Sequence, residues 1–167
     1  MLRRAYSEIN LHITWHTKDN APVLRDDIEA QLHHYLRGRA ARTPEVVCRA
    51  VGGTDYHVHL VVTAPPTLLV SEWIGEMKGA SSHHINNVIV NRKVLEWQPG
   101  YGVVSFGTRD LPWVLNYVQD QREHHARGKA HERLERIESD VMLPPAEAGS
   151  DEGKRKRERD SRPAASP

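Results

Sequence analysis

Two short stretches hold residue types that could do chemistry. In Asp55-Tyr56-His57-Val58-His59-Leu60-Val61-Val62, two imidazoles stand two positions apart. Residues two apart on a strand share a face, so His57 and His59 project together while Val58, Leu60 and Val62 point the other way. Two neutral imidazole nitrogens side by side can take a divalent cation. A pair of surface or packed histidines fits a bare His-x-His equally well. Asp55 is in phase with the pair, but a place in a turn accounts for it too. The second stretch is Tyr117-Val118-Gln119-Asp120-Gln121. On a helix, positions i and i+4 share a face, which aligns Tyr117 with Gln121 and Gln121 with His125. A phenol at the edge of an ordinary amphipathic helix has the same spacing, and on spacing alone that reading leads. Glu123-His124-His125 is open to a ligand, a DNA-contact or a solvated role, and the last two are favoured.

These stretches need a scaffold that sets a strand against a helix. Tyr6 to His16 alternates, with Ile9, Leu11, Ile13 and Trp15 on one side and Asn10, His12, Thr14 and His16 on the other, which predicts a half-buried strand. Pro22 marks a helix start, and Leu24, Ile28, Leu32, Tyr35 and Leu36 form a helical stripe that Gly38 should end. A second strand is expected over 45–51, a hairpin turn at Gly52-Gly53-Thr54-Asp55, and a third strand from Tyr56 to about Thr63, stopped by Pro65-Pro66. Val70, Trp73, Ile74 and Met77 fall at i, i+3, i+4 and i+7, a second core-facing helix that Gly79 ends or loosens. The run Val88-Ile89-Val90 has no clear type. Tyr101 to Phe106 reads as a fourth strand. A third helix is expected from about Leu111 to Ala126, with Leu111, Val114, Leu115 and Val118 facing the core, and a short charged helix over 130–139.

The order β-α-β-β-α-β-α is the split βαβ pattern of the ferredoxin-like α+β class: an antiparallel sheet with two helices on one face, the other face free, and a C-terminal helix carrying Tyr117. At 167 residues the chain can bury a real core. The expected layout is one domain over 1–143 and a disordered charged tail over 144–167, where Pro, Ala, Gly, Ser and mixed charges leave nothing apolar to bury. The net charge is +1, and residues 151–162 alone carry six Lys/Arg against four Asp/Glu, leaving −1 for the rest. The folded part is therefore not a globally cationic nucleic-acid binder, and any DNA contact must come from local patches or a metal. No apolar run reaches the ~20 residues that span a bilayer. Glu8 and Asn10 interrupt the N-terminal segment, so a cytoplasmic place and no membrane partner are expected. The single Cys48 sits in an apolar run and reads as a small core hydrophobe.

Several chemistries lack their parts. His12-Ile13-Thr14 is half of a two-histidine phosphoesterase signature, but no second His-x-Thr/Ser follows. There is no Gly-x-x-x-x-Gly-Lys-Ser/Thr phosphate loop and no Cys-x-x-Cys, so neither nucleotide hydrolysis nor a structural zinc site is supported.

Four pieces, in order, resemble the single-tyrosine HUH transposases of IS200-like insertion sequences. They are Tyr6 through Trp15-His16-Thr17-Lys18; Tyr56-His57-Val58-His59-Leu60-Val61-Val62; Met77-Lys78-Gly79-Ala80-Ser81-Ser82 with Ile85-Asn86; and Gly100-Tyr101-Gly102 through Ser105 followed by Tyr117-Val118-x-x-Gln121-x-x-His124-His125. The match spans roughly residues 5 to 128. Two features depart from the family pattern: Thr54-Asp55-Tyr56-His57 stands where Pro-Asp-His is common, and the charged tail is extra. The resemblance implies that His57, His59 and Gln121 bind Mg²⁺ or Mn²⁺ and that Tyr117 is the nucleophile. It also implies single-stranded DNA ends with subterminal hairpins as substrate. The family assembles as a homodimer in which the tyrosine helix can act in trans, and Gly107 and Gly128 would permit that exchange. Lys78, Arg92, Lys93, Arg122 and Lys129 are the candidate phosphate contacts.

The implied chemistry is consistent. A tyrosine hydroxyl with a pKa of ~10 is a poor nucleophile at neutral pH, and a divalent ion on the scissile phosphate offsets that. A covalent phosphotyrosine conserves the bond energy, so rejoining needs no ATP. The competing reading is a non-catalytic or domesticated hairpin DNA- or RNA-binding protein on the same fold. A third, a replication initiator or relaxase, lacks the expected partner domains.

Overall fold

The structure is a computed structural model and describes residues 6–137. The expected tail over 144–167 and the end of the charged segment at Ser139 lie outside the described residues. Four strands, β1 (Ile9–His16), β2 (Val47–Gly53), β3 (His57–Ala64) and β4 (Gly102–Phe106), form one sheet in the order β2-β3-β1-β4, with every neighbouring pair antiparallel. Helix α1 (Asp26–Ala41) links β1 to β2, and α2 (Val70–His84) follows β3. This is the expected ferredoxin-like α+β order.

The register sorts side chains by chemistry. Leu11 pairs with Val62, Ile13 with Leu60 and Trp15 with Val58, and all six side chains are buried on one face. They pack with Leu32, Leu36 and Ala40 of α1 and Trp73, Ile74 and Met77 of α2. Because side chains alternate along a strand, His12, Thr14, His57, His59 and Val61 fall on the second face.

Glycine punctuates less than the sequence suggests. Helix α1 begins at Asp26, four residues after Pro22, and runs through Gly38 to Ala41. Burial of Leu36 and Ala40 continues its stripe and outweighs the ~1 kcal/mol that an interior glycine costs. Helix α2 likewise passes Gly79 to bury Ser81 and continues as a π turn over Ile85–Ile89, which gives the untyped Val88-Ile89 its place. Strand β2 includes Gly52 and Gly53, so the hairpin turn is Thr54-Asp55-Tyr56, closed by the Thr54 N–H donating to the His57 carbonyl at 3.0 Å.

The second face of the sheet is covered, not free. Helix α3 (Leu111–Gln119), α4 (Gln121–Ala126) and α5 (Glu132–Glu135) lie over it. Ala50, Val61, Val114, Tyr117, Val118 and Leu134 make a second small core there. Two strand glycines allow this close layer. A Cβ at Gly52 would collide with the Val118 carbonyl oxygen of α3, and one at Gly102 with the Arg136 carbonyl oxygen just after α5. The single helix expected over 111–126 is broken at Asp120 (φ −98°, ψ 22°), whose N–H bonds the Asn116 carbonyl at 3.0 Å while its own carbonyl accepts from Glu123 and His124. Aspartate is among the residues that leave helical geometry readily. Among the described residues, no helix is long and apolar enough to cross a membrane.

Candidate active site between the sheet and the tyrosine helix

The site forms where β3 meets α3, α4 and α5. His57 and His59 are fully buried side by side. A neighbour fixes each ring through its Nδ1: Thr54 Oγ1 lies 2.8 Å from that of His57, and His12 Nε2 lies 2.7 Å from that of His59. Both Nε2 atoms are thereby turned to a common point. Glu135 Oε2 is 3.5 Å from His57 Nε2 and 3.4 Å from His59 Nε2, and His125 Nε2 approaches the same oxygen at 3.5 Å. The ligand atoms of His57, His59 and Glu135 all lie within 4.8 Å of one another. Gln121 is buried as well; its Nε2 donates to the Tyr117 carbonyl at 3.2 Å.

Tyr117 completes the group. Its hydroxyl donates to Glu135 Oε1 and accepts from the His131 backbone N–H at 2.8 Å. Its ring lies edge-on to His59 at 6.3 Å between centroids. Burial, then the Glu135 hydrogen bond, push its hydroxyl up to about 12. Burial, then the neighbouring His59 charge, bring both His57 and His12 down to about 3, so both are neutral at pH 7. Burial alone would raise the Glu135 carboxyl. Hydrogen bonding and charge from His59, then Tyr117 and His57, outweigh it and hold the carboxyl well below the usual carboxylate range. The result is a neutral His57 imidazole and an ionised carboxylate around one point, with His59 Nε2 beside them and the phenol attached to that same carboxylate.

The donor set fits a divalent cation. His57 Nε2, His59 Nε2, His125 Nε2 and Gln121 Oε1 are buried with no hydrogen-bond partner. An orphaned buried polar group costs about 1–3 kcal/mol, and a cation would remove that cost. Imidazole, carboxylate and carboxamide are borderline-to-hard donors, suited to Mn²⁺ or Mg²⁺ rather than to soft metals.

Comparison with known proteins adds to this geometry. A family profile described as "Transposase IS200 like" matches residues 5–121, well over half of the chain. The chain belongs to the IS200-like transposase family. The matched span includes His12, His57, His59, Tyr117 and Gln121 and stops before His125 and Glu135. The ISDra2 transposase TnpA of Deinococcus radiodurans is 23% identical over 124 residues, covering 70% of this chain and 86% of that protein. Two solved structures share the fold. A crystal structure of a candidate transposase from Deinococcus radiodurans superposes with a TM-score of 0.58 at 23% identity, covering 71% of this chain and 95% of the other. A REP-associated tyrosine transposase bound to a REP hairpin gives 0.51 at 18%, covering 78% and 75%.

Within this IS200-like transposase, the sequence-derived candidates fare differently. His57, His59 and Tyr117 converge on Glu135, Gln121 is held against the Tyr117 backbone, and one chain supplies all of them. Lys78 turns inward, its Nζ donating to the Gln98 and Gly100 carbonyls at 2.8 Å each, and its burial lowers its pKa. Arg122 pairs with Glu29 at 2.6 Å and Asp55 at 2.9 Å, tying α4 to α1 and the β2–β3 turn. Asp55 also holds Arg25 at 3.1 Å, so it is a turn residue engaged with arginines. Lys93 is exposed and paired with Glu96 at 3.2 Å, while Arg92 and Lys129 are exposed. Sequence reasoning missed Glu135, His12 and Thr54, and it favoured solvent or DNA for His125. Glu135 sits on a four-residue helix among other charged residues, with no pattern to single it out. A signal for His12 existed: it is in phase with Asn10 and Thr14 on the polar side of β1, the side the histidines of β3 share.

Proposed function

We propose that this transposase cuts and rejoins single-stranded DNA, with Tyr117 as the nucleophile and a divalent cation, Mg²⁺ or Mn²⁺, held by His57, His59 and Glu135, with Gln121 and His125 beside it. The observation that carries the reading is the shared carboxylate: Glu135 meets the Tyr117 hydroxyl with one oxygen and the two histidine Nε2 atoms with the other. A tyrosine at the edge of a hydrophobic core has no need of such a partner. When bound, the cation would offset charge on the scissile phosphate and polarise its oxygens.

The chain's own residues do the rest. His12 and Thr54 fix the two imidazole rings through their Nδ1 atoms. The His131 N–H and Glu135 aim the phenol oxygen. The Tyr117 oxygen attacks phosphorus as its proton passes to the ionised Glu135 carboxylate, which returns it to the oxygen that leaves. A phosphorus–oxygen bond to the neighbouring deoxyribose breaks, and that oxygen leaves as a hydroxyl. The phosphotyrosine is resolved when a deoxyribose hydroxyl attacks phosphorus and restores Tyr117, so no outside energy source enters. The groups meet within one chain, which supports assembly in cis; the homodimer stays the arrangement that the family resemblance implies. The exposed Arg92, Lys93 and Lys129 remain the surface candidates for phosphate contacts.

The test is nicking of an end-labelled single strand carrying hairpins. Cleavage should require added Mn²⁺ or Mg²⁺ and be lost in His57→Asn at unchanged melting temperature. Cleavage that persists in EDTA, or in the His57→Asn protein, contradicts the assignment. Tight hairpin binding with no cleavage under any divalent ion would favour the non-catalytic reading.

A further inference from the structure

Trp113 differs from the core tryptophans. Trp15 and Trp73 are buried, whereas Trp113 is 51% exposed. It lies one helical turn before Tyr117 on α3. The two rings stack, centroids 5.7 Å apart with 20° between their planes. His124 stacks on Tyr117 as well, at 5.0 Å and 22°. Trp113, Tyr117 and His124 thus make a run of near-parallel rings, with the indole as its exposed end. The His131 ring meets Trp113 in a T-shaped pair, centroids 5.3 Å apart and planes at 72°, and the backbone N–H of the same residue holds the Tyr117 oxygen. The indole is therefore fixed in orientation by the groups that position the nucleophile.

Packing on Tyr117 and His131 still leaves Trp113 half exposed. A rigid aromatic ring held in place with a face to solvent is the feature that single-stranded nucleic acids use, because every base has a π-face to lay on it. We propose that the exposed face of Trp113 is a stacking platform for an unpaired DNA base beside the bond that Tyr117 attacks. This inference rests on the reading of Tyr117 as nucleophile. The chemistry selects single strands: in a duplex both faces of a base are taken by its neighbours, so only an unpaired or extruded nucleotide can stack on the indole. Cations for the adjoining backbone are present. Arg109, four residues before Trp113, and Lys129, two before His131, are exposed and form no ion pair among the described residues.

The experiment measures binding of a fluorescein-labelled, mixed-sequence single-stranded 30-mer and of its duplex form to the full chain by anisotropy, with tryptophan emission recorded in parallel. Trp113→Leu keeps an apolar cover over Tyr117 but removes the π-face. It should weaken single-strand binding about 5- to 150-fold, the range lost with one base–aromatic stack, and leave duplex binding unchanged. Trp113→Phe should retain most of the affinity but lose the emission quenching that the single strand causes in the wild type. Equal single-strand affinity in wild type and Trp113→Leu, or quenching unchanged in Trp113→Phe, overturns the proposal. The phenylalanine variant decides the matter if the leucine variant does not fold. Tyr117→Phe separates the two readings: cleavage that persists in this variant while single-strand binding still depends on Trp113 sinks the nucleophile and keeps the platform. Cleavage lost in Tyr117→Phe with binding that does not depend on Trp113 does the reverse.

Discussion

Lowering the pH from 7 to 5 should strip much of the domain's stability, and the buried histidines set the amount. His12 and His57 are neutral in the folded protein down to about pH 3, chiefly through burial. Unfolded, each titrates near 6.5. Below pH 6.5 the unfolded chain therefore binds more protons than the folded one, and stability falls with acid between 6.5 and 3. At pH 5 the gap is ~1.5 pH units for each group, or ~2 kcal/mol each and ~4 kcal/mol together. His33, brought down to about 4 by burial and then the Arg37 charge, adds loss in the same direction. Against a usual total of about 5–15 kcal/mol, such a loss makes the fold marginal. Urea titrations at pH 7, 6 and 5, followed by circular dichroism in EDTA, measure it, with the denaturant slope held as a check. Replacing His12 and His57 together by Asn should flatten the pH dependence. A wild-type loss below ~1 kcal/mol between pH 7 and 5 would refute the burial argument, since one perturbed histidine alone supplies more.

Two substitutions probe the layer over the second face. Glu135→Gln keeps an acceptor for the Tyr117 hydroxyl but removes the charge, so Mn²⁺ affinity by calorimetry should drop at least about 10- to 100-fold; unchanged affinity would remove Glu135 from the ligand set. Gly52→Ala drives a methyl into the Val118 backbone, which no side-chain rotation relieves. It should cost about 1–3 kcal/mol in urea melts and displace α3 enough to cut strand cleavage further than the stability loss alone; a change within about 0.5 kcal/mol would show that α3 does not sit on β2 as described.

How far the sequence revealed this site depends on the kind of signal. Alternation in β1 and β3 is a local, period-two pattern, so the two faces, the hydrophobic layer and the shared direction of His57 and His59 were legible. The spacing of Tyr117 and Gln121 survived the break at Asp120 because the Gln121 amide reaches back to the Tyr117 carbonyl. The covering of the second face was not legible. It depends on missing side chains at Gly52 and Gly102, which suggest a turn or a loose strand locally but in fact admit backbone from α3 and from the end of α5. Glu135 was hidden for a related reason. Its role comes from a chain reversal after Gly128 (φ +62°) that returns a short charged segment to the sheet, a long-range contact that no periodicity encodes.

The central claim is that the Tyr117 hydroxyl becomes covalently joined to DNA. The most direct measurement is peptide mapping by mass spectrometry after the full chain is incubated with a hairpin-bearing single strand and Mn²⁺, followed by nuclease trimming. The account predicts a nucleotide-phosphate adduct on the peptide containing Tyr117, absent in EDTA and absent from Tyr117→Phe. An adduct on any of the other tyrosines, or one that still forms in the Tyr117→Phe protein, would contradict it.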